Sequence, residues 1–170
     1  WAFQTQALAQ HYRVLQYDCR GQGQSEHPAE PYSMAQHADD LAALLDARGI
    51  QKAHIAGISY GGEVAQVFAL QHPQRTASLI LADTVSEVGP ELRYAVVGWL
   101  QAARLADPDL FFYVTAPWNF SPEFISANPA LLEQARGRYT LVDFPAVVRL
   151  CECFLEVNFT ARPGEIQAPT

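Results

Sequence analysis

The sequence predicts an α/β fold: a parallel β-sheet with flanking helices, followed by a separate block of helices. Three observations carry this. Short apolar runs alternate with helical segments as far as residue 82, the pattern of strands joined by crossover helices. One strand passes straight into a helix through Gly57-Ile58-Ser59-Tyr60-Gly61, with no linker. From Val85 the alternation stops, and residues 90–159 carry helical periodicity with no convincing strand.

Residues 1–10, with Phe3, Ala7 and Leu8 as an apolar stripe, read as a loop end and a short helix. Residues 12–17 read as the first strand, centred on Val14 and Leu15. Asp18-Cys19-Arg20-Gly21-Gln22-Gly23-Gln24-Ser25 follows as a tight loop, its glycines suited to positive φ, with Asp18, Arg20 and Ser25 tying it down. A dinucleotide loop is excluded, because Glu26 stands where the third glycine of G-x-G-x-x-G would meet phosphate. His27, on a proline-rich loop, is expected to be solvated.

Ser33 with Gln36 three residues on is a capping box. The helix it opens puts Met34, Ala38, Leu41 and Leu45 on one face, with Asp39 and Asp40 on a solvated face, and Gly49-Ile50 supplies the stop. Residues 53–58 form a second strand, expected to be covered on both faces. The following helix, 63–72, is apolar nearly all round and should be buried; Pro73 ends it. Residues 78–82 form the third strand, which delivers Asp83 to the sheet edge.

In the helical block, Pro90, Pro129 and Pro145 mark three helix starts. Phe111, Phe112, Tyr113, Trp118, Phe120 and Phe124 are placed between these helices. Two readings stand for Phe111, Phe112, Trp118 and Phe120: the lining of an apolar substrate pocket, or the core of the block itself. Pro163-Gly164 then breaks the chain, and residues 166–170 look like the approach to another strand. The divisions expected are 1–84, 85–162 and 163–170, and both ends read as cut.

A net charge of −7 argues against nucleic acid or an anionic membrane as partner. No apolar run approaches a membrane span. Cys19, Cys151 and Cys153 give no disulfide pattern and no zinc spacing, so a reducing, cytoplasmic setting with neither metal nor cofactor is expected.

Ser59 carries the chemistry. A serine on a sharp strand-to-helix turn sits in strained backbone, and glycines at 57 and 61 remove clashes on either side. The turn lifts its hydroxyl above the sheet edge, and the Tyr60 N–H at the helix N-terminus can face a developing oxyanion. This strand, serine turn and helix resemble the nucleophile elbow of the α/β-hydrolase family, and the D-x-R-G-x-G-x-S run and the helical block resemble that family's loop and cap. The resemblance implies a partial α/β-hydrolase fold: three strands with flanking helices, plus an α-helical cap. It implies an acyl-enzyme on Ser59, formed from a small-molecule ester or lactone. The acid normally comes one strand later, with Asp83 as the alternative, and the histidine base later still. The second oxyanion donor would lie upstream of Trp1, and the base and acid downstream of Thr170. Cofactor-free haloperoxidases and carbon–carbon bond hydrolases share this machinery. A non-catalytic small-ligand-binding protein of the same fold is the rival from another class.

Overall fold

A computed structural model describes all residues from Trp1 to Thr170. The chain opens with α1 (Ala2–Leu8), then runs through loops to α2 (Met34–Ala47). Next come β1 (Ala53–Ile58), α3 (Tyr60–Gln71) and β2 (Thr76–Ala82). The strands pair in parallel, from Ala53 opposite Thr76 to Ile58 opposite Ala82.

Local signals set these elements. The Ser33 hydroxyl accepts the Gln36 N–H at 3.2 Å and starts α2. At its end Gly49, at φ +66°, donates to Asp46 O, and Ile50 donates to Leu45 O: a Schellman stop that turns Ile50 back onto the core. That core joins Ala38, Leu41, Ala42 and Leu45 of α2 to Ala65, Phe68 and Ala69 of α3, over Ile55 and Leu79 of the strands. Val64, Ala65, Phe68 and Ala69 are all buried, as the apolar pattern of α3 predicts.

Two expectations about the sheet fail. Residues 12–17 are not a strand: Leu15 packs against the core, but no neighbouring strand lies alongside to exchange hydrogen bonds, and two strands form where three were expected. The sheet is also covered on one face only. Both α2 and α3 pack on the Ile55 and Leu79 side, which leaves Ile58 51% and Ile80 59% exposed on the other. At the outer edge of β2, the Leu79 N–H donates to Pro169 O at 2.8 Å, so the C-terminal residues do run up beside the strand.

The helical block contains α4 (Pro90–Arg104), α5 (Pro108–Asn119), α6 (Pro122–Ala127), α7 (Pro129–Arg138) and α8 (Phe144–Leu155). Val96 and Leu100 of α4 meet Cys151 and Phe154 of α8 in a second core, with Met34, Tyr60 and Val85 packed at its margin. This core joins the helical block to Met34 of α2 and Tyr60 of α3. The helices α5 and α6 went unforeseen, so Phe111 to Trp118 lie within a helix rather than between helices. Asp107, Ser121 and Asp143 each cap a helix whose first turn holds proline, a start signal repeated three times.

Candidate active site

Ser59 stands between β1 and α3, exposed, at φ +49° and ψ −126°. A residue with a side chain rarely adopts this conformation, and the surroundings hold it there. The Ser59 N–H donates to Ala82 O at 3.0 Å, and its carbonyl accepts from Gly62 N–H at 2.6 Å and Glu63 N–H at 3.2 Å. As first residue of α3, Tyr60 has an N–H with no intrahelical acceptor, at the positive end of the helix dipole.

The glycines divide the work differently from expectation. A Cβ on Gly57 would stand 2.1 Å from Gly61 O, so the elbow closes only over glycine. A Cβ on Gly61 would meet nothing within 4 Å, so sterics do not require glycine there. The second tight position is Gly62, where a Cβ would fall 2.4 Å from Thr84 Oγ1.

The loop after residue 17 is tied down as predicted, with one added partner. Asp18 accepts the Gln24 N–H at 2.9 Å, Ser25 Oγ donates to Asp18 O, and Arg20 makes a two-pronged ion pair with Asp40 at 2.8 and 2.6 Å. Asp40 therefore does not sit on a merely solvated face, because α2 lies under the loop and brings it to Arg20.

No histidine hydrogen-bonds to Ser59. His27 is not solvated; its Nδ1 lies 2.7 Å from Asp143 Oδ2, since the N-cap of α8 closes over its loop. This contact holds the Asp143 carboxyl below the usual carboxylate range, with the Ala146 N–H helping. His37 is buried against the Tyr60 hydroxyl, 2.8 Å from Nε2. Burial lowers its pKa to about 4, so the ring is neutral near pH 7. His54 meets Ser78 Oγ, and His72 meets Asp39. Asp83 lies one residue beyond the Ile58–Ala82 pair, exposed, at φ +46°, and bonded to no histidine.

The four cap aromatics each pack on other aromatic rings of the helical block. Phe111 meets Tyr139 and Phe144, and Phe112, 4% exposed, sits edge-on to Tyr113 and Tyr139. Trp118 stands against Trp99, and Phe120 stacks on Phe124. Phe112 thus has no free surface for a ligand, whereas Trp118 is half exposed. A cleft of about 440 Å³ lies between Pro31, Arg104, Phe144, Val148, Arg149 and Glu152, and no elbow residue lines it.

Sequence reasoning missed Glu63. It is 1% exposed and bonded to Thr84 and Val85, and burial raises its pKa above the usual carboxylate value. One signal was available: a carboxylate in the first turn of an otherwise apolar helix.

A strained, exposed serine at a strand-to-helix turn, in a chain that goes on to a block of helices, defines the nucleophile-elbow class of fold. The alpha/beta hydrolase fold family model matches residues 1–139, and the chain belongs to that family. It is 33% identical over 169 residues to a protein of Caulobacter vibrioides named "Putative carbamate hydrolase RutD", covering 98% of this chain and 63% of that one. The crystal structure of MGS-M2, an alpha/beta hydrolase enzyme from a Medee basin deep-sea metagenome library, superposes with a TM-score of 0.92 at 26% identity, over 100% of this chain and 64% of that one. The enol-lactonase from Burkholderia xenovorans LB400 superposes with a TM-score of 0.89 at 29% identity, over 99% and 64%. The chain therefore spans somewhat under two thirds of these relatives. No helix is long and apolar enough to cross a membrane.

Proposed function

We propose that this chain is the nucleophile-bearing part of a serine hydrolase that cleaves a small carboxylic ester or lactone through an acyl-enzyme on Ser59. The observation that carries the proposal is the conformation of Ser59: exposed, at positive φ, with an unpaired N–H from Tyr60 beside it. In this scheme Ser59 Oγ attacks the carbonyl carbon as a base takes its proton. The oxyanion forms against the Tyr60 N–H, the alcohol leaves carrying a proton, and water releases the acid. None of the five histidines hydrogen-bonds to Ser59, so in this scheme the base comes from the part of the fold that the relatives have beyond this chain, and the acid is expected there too. Asp83 remains the alternative acid, standing at the right edge of the sheet. A cytoplasmic setting belongs to the same proposal, supported by three free cysteines.

The names of the relatives set the substrate panel: esters, lactones and carbamates, given to the protein that carries this chain, as wild type and Ser59→Ala. Turnover of a lactone or ester, lost in Ser59→Ala, supports the reading. Preference for carbamates moves the substrate class. Ligand binding that survives Ser59→Ala, with no turnover, favours the binding-protein reading.

A further inference from the structure

We propose that Glu63, acting with Gln66 and Thr84, is a positioning residue that clamps the root of the cap onto the elbow and so holds Ser59 at working height. Its catalytic half rests on Ser59 being the nucleophile; the clamp itself does not.

A carboxyl group is costly to bury, and Glu63 lies almost wholly inside. Its partners are all at the point where the chain leaves the sheet for the cap. Oε1 accepts from Thr84 Oγ1 at 2.6 Å and from the Val85 N–H at 3.0 Å. Three residues on, and so on the same helix face, Gln66 Nε2 donates to Val85 O at 3.0 Å. One face of α3 therefore grips both backbone polar groups of Val85. Val85 in turn packs at the margin of the core that joins the helical block to Met34 of α2 and Tyr60 of α3.

The clamp also reaches the nucleophile. Thr84 Oγ1 lies 3.1 Å from Ser59 O, and it fits because residue 62 is glycine. Asp83, just before it, is itself at positive φ, so the chain needs holding there. Oε2 of Glu63 is buried with no partner.

The test compares Glu63→Ala, Glu63→Gln and Thr84→Val in the protein that carries this chain. An alkyl fluorophosphonate reports kinact and KI at Ser59, and amide exchange reports on Val85. We expect Glu63→Ala to slow kinact by about tenfold or more, with KI within about threefold, because a displaced nucleophile loses alignment rather than binding. Val85 exchange should rise in the same variant. Glu63→Gln keeps an acceptor at Oε1. It should restore kinact to within about threefold of wild type while lowering the melting point, since its amide N–H groups are buried bare. Labelling by Glu63→Ala at the wild-type rate, equal losses in Ala and Gln, or unchanged Val85 exchange would overturn the proposal. If Glu63→Ala does not fold, Thr84→Val decides: slowed labelling supports the clamp, and a wild-type rate overturns it. If wild-type Ser59 takes no label, the nucleophile reading falls separately. The clamp is then judged on Val85 exchange, which must rise in Ala and not in Gln.

Discussion

Replacing Ser59 by glycine should make the protein more stable while abolishing its chemistry. Ser59 holds φ +49°, ψ −126°, a conformation that costs a residue with a Cβ about 1–3 kcal/mol. Glycine removes that cost but loses about 0.4–1 kcal/mol through the freedom it adds to the unfolded chain. The net gain is about 1 kcal/mol, or about 2–4 °C in melting point for a chain of this size. Ser59→Ala is the control, since it deletes the hydroxyl but keeps the Cβ and therefore the strain. The hydroxyl is exposed and makes no hydrogen bond in the structure, so its loss alone should change little. Calorimetry or urea unfolding of wild type, Ala and Gly variants measures the difference. A Gly variant no more stable than the Ala variant would refute the claim that the elbow stores backbone strain.

Two further predictions follow from the same geometry. Gly57→Ala should cost about 3 kcal/mol or unfold the elbow, because its Cβ would collide with Gly61 O; Gly61→Ala should be tolerated or stabilise slightly, as a helical glycine facing open space. Chemical denaturation of the pair checks both. His37, with its pKa lowered from 6.5 to about 4 by burial, binds a proton more readily unfolded than folded. Stability should therefore fall as pH drops through that window, by up to about 3 kcal/mol. Asp40 and Arg20 are the charged groups acting on it. His37→Gln should flatten the dependence between pH 6.5 and 4, and an unchanged profile would count against the assignment.

What the sequence shows, it shows through local signals. The Ser33 cap, the Gly49 stop, the apolar face of α3 and the glycine-spaced serine each involve residues within a turn or two of one another. What it hides is non-local. Residues 12–17 have strand composition, but a strand exists only with a partner alongside. The run 53–58 is apolar throughout, and such a run does not show whether one face or two will be covered; β1 is buried alternately. His27 finds Asp143 across 116 residues, and Glu63 finds Val85 across 22, distances that no periodicity reports. The serine turn is therefore legible in the sequence, while these long-range contacts are not.

The most direct test of the central claim is to trap the acyl-enzyme. The protein that carries this chain would be mixed with a slowly deacylating activated ester, quenched in acid, digested and mapped by mass spectrometry. The account predicts one acyl group on the peptide containing Ser59, absent in Ser59→Ala. Turnover of the ester with no adduct on Ser59, or an adduct that persists in Ser59→Ala, would contradict it.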